Sequence, residues 1–365
     1  MEEKPKKELP PRTDTETIIT SSLTDIKVNK NWVNGGDETK IFSLKFNHDD
    51  KFIAAACENG ELQVYNVNTG SLAYNFVNQH KTPISAVRWR PRGDRFKTNN
   101  VFVTTNSEGE ISHYHLASQK CLSTIKDQAP PGENNRDPQL FCLDYNPEGT
   151  QFAVAGAKPF INMYDEESKK IVRCLGGDGD YTHPPHSSRI YCVKYDLENP
   201  NILYSGGWDM RVIRWDFREG KQNISNNGIV GPLICGDGID ISGNYILTAS
   251  WKENHQIQIW DNRNMKLVAN YNWDQYVKNP NGQGEPCFCY AGQFSKNDGG
   301  TIILAGGSGS NEVKMFDRTL GEKDVVGIFD LSREIDCLDF SNGGYKFACG
   351  GGDGYVRVFG LNVKL

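Results

Sequence analysis

The densest gathering of reactive side chains in this 365-residue sequence is GGDGDYTHPPHSS, residues 176–188, which brings Asp178, Asp180, His183 and His186 into one short stretch. Carboxylates and imidazoles are the groups from which metal sites and general acid–base pairs are built. Here, however, they sit in a run of turn formers with no activated nucleophile beside them. A second candidate, CFCY, sets Cys287 and Cys289 one residue apart. Zinc sites space their cysteines by about two to four residues and need a second ligand pair at a matching distance, which is missing. The glycine-rich stretches GGSGSNEV and GGGDGYV resemble phosphate loops in composition. Neither opens a helix, so no helix N-terminus is there to receive a phosphate, and both read as turns between strands. The expectation is no catalytic residue, no cofactor and no metal.

Composition narrows the class further. The chain holds 37 Gly, 11% aromatic and 24% charged residues, which suits a globular fold of short strands and many tight turns. A formal charge of -6 gives no basic stripe for phosphate neutralisation, so nucleic acid is not the expected ligand. The opening MEEKPKKELPPR carries no apolar signal-type run, and nowhere are there roughly 18 consecutive apolar residues, so no membrane insertion is expected and a cytoplasmic location is. Most of the ten cysteines fall inside apolar strand-like runs, as at Cys57, Cys142, Cys192 and Cys349, and read as reduced, buried thiols.

A long-period repeat organises the rest. An aromatic residue ends a short alternating run seven times, at Tyr65, Tyr114, Tyr164, Trp215, Trp260, Phe316 and Phe359, at intervals of 43 to 56 residues. Three residues before each stands an aliphatic: Leu62, Ile111, Ile161, Val212, Ile257, Val313 and Val356. That register marks one buried strand face. The residue just before the aromatic is apolar in five units, with His113 and Arg214 the exceptions. Upstream lies a second signature, as in Ile41, Leu44, Phe46 and again in Ile84, Val87, Trp89; Leu140, Leu143, Tyr145; Ile190, Val193, Tyr195; and Ile335, Leu338, Phe340. In LICGDGIDI and CFCYAGQF, Gly236 and Gly292 take the place of an aliphatic. A short apolar run and a glycine turn between the signatures complete a hairpin, and a polar turn leads to a fourth strand. Each unit is thus a four-stranded antiparallel sheet.

These features resemble the WD-repeat propeller family, whose repeat of about 40 to 45 residues builds four strands per blade. Trp-Asp itself occurs at Trp215-Asp216 and Trp260-Asp261, and no Gly-His dipeptide is present. The resemblance implies an all-β fold, a single seven-bladed propeller over residues 16–365 after a flexible charged tail over residues 1–15. Because only GLNVKL follows Phe359, the last blade needs its outer strand from the N-terminus, and the alternation of TDIKVNKNWV places that strand within Asp25 to Val33. The family commonly wires His, Ser, Asp and Trp into a structural network. The fourth unit holds all four, as His186, Ser205, Asp209 and Trp215. The seventh unit keeps Asp353 six residues before Phe359, and His80 precedes Ile84 by four in the second.

On such a disc, function lives in the loops at the mouths of the channel. The resemblance therefore implies a non-catalytic protein-interaction scaffold, a subunit of a hetero-complex, with a cytoskeletal or ciliary assembly among those the family serves. The candidate contact face comprises Trp208 and Trp251 in second-to-third strand turns, with Arg189, Tyr191 and Arg211 alongside, since aromatic and Arg side chains dominate hot spots. Each Trp has two outcomes, an exposed ring or one folded back over the neighbouring blade. An alternative is a substrate receptor of a cullin-4 type ubiquitin ligase. ILYSGGWDMRVIRWDFR resembles the WD-x-Arg box of such receptors, with Arg218 in the diagnostic place and Arg263 in a second copy, WDNR. The competing reading of those arginines is a local pair with a neighbouring carboxylate. A third alternative, a propeller enzyme, requires a convergent cluster of titratable groups at the channel mouth.

Overall fold

The computed structural model describes residues 17–20, 26–36, 39–78, 80–93, 98–128, 138–176, 186–218, 228–273, 286–322, 324–329 and 331–362. The charged tail over residues 1–15 lies outside them, as does most of the histidine-bearing insertion, residues 177–185. No helix occurs among the described residues, and none is long and apolar enough to cross a membrane. The strands form seven antiparallel sheets. Blades one to five each use four consecutive strands, over residues 41–77, 84–126, 140–175, 190–230 and 239–271. Blade six spans residues 287–329 and blade seven residues 335–362. The first strand of each blade packs on the first strand of the next, and Ile335–Phe340 meets Ile41–Phe46 to close the ring.

Closure follows the expected logic two residues later in sequence than expected. Lys27–Gly35 pairs antiparallel with Tyr355–Asn362, from Lys27 opposite Asn362 to Gly35 opposite Tyr355. Both ends of the chain thus share one sheet, which leaves no open edge on blade seven's third strand. Trp32 anchors the joint, its ring 5.9 Å from Tyr65 and its indole N–H donating to Val67 O at 2.7 Å. A further strand was not anticipated: Thr17–Thr20 pairs with Asp324–Phe329 as a fifth strand on blade six. Ile18 packs there on the core shared by blades six and seven.

The repeated aromatics fill the spaces between blades. Six of the seven are buried, and Trp260 is half-buried. Three stack on the residue opposite them in the second strand: Tyr114 on Phe102, Tyr164 on Phe152 and Phe359 on Phe347, with centroids 5.4, 5.2 and 4.9 Å apart. Cross-strand aromatic pairs of this kind add to plain area burial. The two polar exceptions have partners. His113 is buried with Nε2 3.1 Å from Glu166 Oε2, and Glu166 also takes Tyr145 Oη and Arg90 Nη1 at 3.0 and 3.2 Å. Arg214 lies half-buried, 3.5 Å from Asp216. The glycines that replace an aliphatic in the fifth and sixth units do so because those blades approach closely. A Cβ on Gly292 would lie 2.6 Å from the Ala249 Cβ, and one on Gly236 would lie 2.5 Å from Tyr290 O.

Candidate functional site

The mouth of the channel is built by a bulge repeated in the first strands. In six of the seven blades the register slips by one residue near the start, between Ile41 and Ser43, Ile84 and Ala86, Leu140 and Cys142, Ile190 and Cys192, Cys289 and Ala291, and Ile335 and Cys337. A bulge leaves one residue out of the ladder and re-aims its side chain. The residues left out are Phe42, Ser85, Phe141, Tyr191, Tyr290 and Asp336, and all six line one cavity of about 360 Å³. In blade five the corresponding wall is Gly236 and Asp237. Going round the ring, aromatic walls stand on blades one, three, four and six, a serine on blade two, a glycine and an acid at blade five, and an acid on blade seven. The bulge has its own steric requirement in blades four and seven. There a Cβ on Gly207 or Gly351 would come within 2.1 or 1.9 Å of the carbonyl oxygen of Arg189 or Glu334.

Three residues beyond each bulge the same strands supply the waist of the channel: Lys45, Arg88, Asp144, Lys194, Gln293 and Asp339, with Asp240 from blade five. The acids and the amide stitch four of the seven junctions between neighbouring blades. Backbone N–H groups of Phe46, Tyr195 and Phe294 donate to Asp339, Asp144 and Asp240 at 2.8 Å, and Phe340 N donates to Gln293 at 2.6 Å. The cations reach across. Lys45 Nζ and Arg88 Nη2 lie 2.8 and 2.9 Å from Asp237, and Lys194 Nζ lies 3.0 Å from Asp240. Burial alone would push the Asp237 carboxyl up, but Arg88, Lys45 and Lys194 hold it far below the usual carboxylate range. The waist is a neutralised charge network. On its far side a second cavity, of about 570 Å³, is lined by Lys45, Asp144, Lys194, Asp240, Lys296 and Asp339 among others.

At the bulge-lined mouth the chemistry is sparse. The thiols of Cys142 and Cys235 line it, and burial raises both, Cys235 to about 11, so neither is a ready thiolate. No histidine is among the described residues that line it. The group poised near neutrality is Asp336. Burial, opposed by Lys40 and reinforced by Glu334 and Asp353, pushes its carboxyl up to about 7. Lys40 Nζ lies 2.8 Å from Glu334 Oε1, 3.2 Å from Asp336 Oδ1 and 5.6 Å from the centre of the Phe42 ring. Asp336 Oδ2 is buried and has no hydrogen-bond partner among the described residues.

The residues singled out from sequence divide among three places. Tyr191 lines the mouth, stacked on Phe141 at 4.8 Å and 6°, and Trp208 meets its edge at 5.6 Å. These rings form an aromatic path from cavity to rim, where Trp208 is 42% exposed beside exposed Met210. Arg189 and Arg211 flank it, both exposed. Trp251 takes the other outcome, half-buried with its ring 4.9 Å from Phe288 of blade six. The structural set is joined as a chain. His186 Nδ1 lies 2.9 Å from Asp209, its Nε2 lies 2.7 Å from Ser205 Oγ, and Trp215 Nε1 donates to Ser205 Oγ at 2.8 Å. Blade five repeats the last bond, with Trp260 Nε1 donating to Thr248 Oγ1 at 2.9 Å. In blade seven Asp353 instead receives Ser332 Oγ and a fork from Arg357. His80 pairs with Glu110 at 3.5 Å. Arg218 and Arg263 each fork onto the Asp of their own Trp-Asp pair, Arg218 on Asp216 at 2.9 and 2.5 Å and Arg263 on Asp261 at 2.9 and 2.6 Å.

Sequence reasoning missed Phe42, Phe141, Tyr290 and Asp336. The signal was present at the second position of each first-strand signature, where strict alternation gave no reason to look. Only the bulge turns that position into the channel.

Comparison with known proteins agrees with this architecture. The model of the anaphase-promoting complex subunit 4 WD40 domain matches residues 12–92, and the WD domain, G-beta repeat model matches residues 178–216 and 326–360. Among curated relatives, the protein transport protein SEC31 of Saccharomyces cerevisiae is 26% identical over 192 residues, 48% of this chain and 14% of that protein. The U3 small nucleolar RNA-associated protein 15 homolog of Xenopus laevis is 23% identical over 253 residues, 69% of this chain and 42% of that protein. Protein NEDD1 of Bos taurus is 27% identical over 162 residues, 44% of this chain and 21% of that protein. The chain spans less than half the length of each. Seven antiparallel blades, six of them bulged in the first strand, a ring closed by the N-terminal strand and matches to WD-repeat models at both ends place the chain in the WD-repeat β-propeller family.

Proposed function

We propose that this propeller is a non-catalytic scaffold that binds other proteins through the bulge-lined mouth, as one subunit of a larger hetero-complex. The observation that carries the reading is the aromatic path Phe141–Tyr191–Trp208, which runs from an apolar cavity to an exposed rim on a rigid frame. Large rings that lose little conformational freedom on binding are the usual anchors of an interface. Against catalysis stand the raised thiols of Cys142 and Cys235, and no imidazole is among the described residues that line the cavity. The relatives' names point to protein transport and to a nucleolar RNA assembly, different machines that share this kind of domain. A cytoplasmic site, with a cytoskeletal or ciliary assembly as the setting, remains part of the proposal, and the charge of -6 favours protein over nucleic acid as the direct contact.

The test is differential capture. Tagged wild-type chain, a Tyr191→Ala/Trp208→Ala variant and an Arg218→Ala/Arg263→Ala variant are isolated from native extract and their companions identified by mass spectrometry. The reading expects companions that disappear with the aromatic pair and persist without the arginines. The reverse pattern, with a ligase adaptor among the lost proteins, would favour the cullin-4 alternative. That alternative has less support, because both guanidinium groups are already forked on a neighbouring Asp. Identical companions in all three samples would sink the mouth as the contact surface.

A further inference from the structure

The mouth cavity has one polar feature that its own structure leaves incomplete. Asp336 lines it, its side chain is about one-tenth exposed, and its Oδ2 is buried with no partner among the described residues. A buried carboxylate oxygen without a donor is costly, and natural structures rarely keep one without a use. In ring order Asp336 stands between Tyr290 of blade six and Phe42 of blade one, both lining the same cavity.

We propose that this cavity receives a cationic side chain, an arginine or lysine presented by a partner peptide, with the charged head on Asp336 and the stem against Phe42 and Tyr290. The inference rests on the mouth being the contact surface and adds the chemistry of what enters it. An acid beside aromatic faces in an apolar cavity is the arrangement that rewards a cation with an apolar stem, through a charge-assisted hydrogen bond and cation–π attraction. The site already shows the pattern once, since Lys40 lies near the Phe42 ring while pairing with Glu334 and Asp336. Two carboxyl groups share that single ammonium, so an ionised Asp336 leaves the trio one negative charge in excess.

Entry of a cation is coupled to a proton. The charged and titratable groups nearest Asp336 are Lys40 before blade one, Glu334 before blade seven, Asp353 in the turn of blade seven, and the thiols of Cys235 and Cys337; the same cavity is also lined by Tyr290 and by Arg88 and Asp237, which pair with each other. Asp353 is itself held below the ordinary value by Arg357, against its burial, and both thiols are raised, so Asp336 is the member of this set that titrates near neutrality. A guest cation favours the ionised carboxyl, and the displaced proton goes to solvent.

The experiment uses the full chain and four small amides: Nα-acetyl-arginine methylamide, Nα-acetyl-lysine methylamide, and the neutral Nα-acetyl-citrulline and Nα-acetyl-norleucine methylamides. Binding is followed by ligand-observed NMR on wild type and on Asp336→Asn. Expected is a preference of about tenfold or more for at least one cationic amide over both neutral ones, lost in Asp336→Asn, with the stronger of the two cations naming the source. Wild-type affinity for the cation should also fall about tenfold from about pH 8 to about pH 6 as Asp336 takes up its proton. Equal affinity for neutral amides, a cation preference that survives in Asp336→Asn, or no cation binding up to millimolar concentrations would each overturn the proposal. Partner capture that depends on Tyr191 and Trp208 but not on Asp336 would overturn it too while leaving the scaffold reading intact.

Discussion

Arg88 Nη2 donates to Asp237 Oδ1 at 2.9 Å, tying the first strand of blade two to the connector that enters blade five, on the opposite side of the ring. Lys45 joins the same carboxylate from blade one at 2.8 Å. One acid thus braces three points on the waist and separates an apolar mouth from a charged one.

Asp237→Asn should be expensive, because it strands two nearly buried cations. Breaking such a pair by removing one member costs about 2–4 kcal/mol, the lower part of the range for buried ions since Asp237 retains some solvent access. Equilibrium urea unfolding measures it. The Asp237 carboxyl is held below its ordinary value of 3.8, so its contribution is fully present above that value and is lost only as pH falls through the depressed one. The gap between variant and wild type should therefore stay level from neutrality down to about pH 4. A gap that closes near pH 6 would contradict the bracing role.

Asp336 predicts the opposite sign. Its carboxyl is raised from 3.8 to about 7, so between those values the unfolded chain is ionised while the folded one keeps its proton, and stability falls as pH rises. Asp336→Asn removes that penalty. The variant should be more stable than wild type at about pH 8 by a few kcal/mol at most, with the advantage vanishing towards about pH 4. Urea titrations at both pH values decide it. An Asn variant less stable than wild type at high pH would show that the contact with Lys40 outweighs the cost of burial.

Closure can be tested by two truncations. Removing residues 1–35 deletes the nine-residue strand Lys27–Gly35, with buried Val28 and the Trp32 anchor, and exposes the edge of blade seven. It should abolish cooperative folding or lower the melting temperature severely. Removing residues 1–20 deletes, among the described residues, only the four-residue fifth strand of blade six and should cost far less. Comparable melting of the shorter chain and the full one would refute closure by the N-terminal strand.

Ser205 is the hinge of the blade-four network, since its one hydroxyl meets both His186 and Trp215. Burial alone would push Asp209 up, but the hydrogen bonds from His186 and from Ser187 and Arg211 hold it below the ordinary value, so the far end of the chain is firmly accepted. Ser205→Ala leaves a buried imidazole nitrogen and a buried indole N–H unpaired, at about 2–3 kcal/mol. Hydrogen exchange should show the loss concentrated in blade four. A uniform loss across all blades, or none, would argue against a local network.

The seven-blade count, the four-strand order of each blade and the N-terminal closure were legible in the sequence because each rests on local periodicity. The aromatics from Tyr65 to Phe359 end a strand whose alternation is set by backbone geometry, and the alternation of TDIKVNKNWV marked the strand that closes the ring. Even the polar exceptions His113 and Arg214 were visible, though not Glu166 or Asp216 as their partners, since Glu166 belongs to the next blade.

What only tertiary structure decided is the lining of the mouth. Phe42, Phe141, Tyr290 and Asp336 stand at positions that a regular strand would turn away from the channel. A single inserted residue in each of those first strands reverses that direction, and the bulge depends on how neighbouring blades and the facing strand pack. The fifth strand at Thr17–Thr20 and the meeting of Arg88 with Asp237 belong to the same class. They join residues far apart in sequence, where no local pattern carries information and only the closed ring sets the distance.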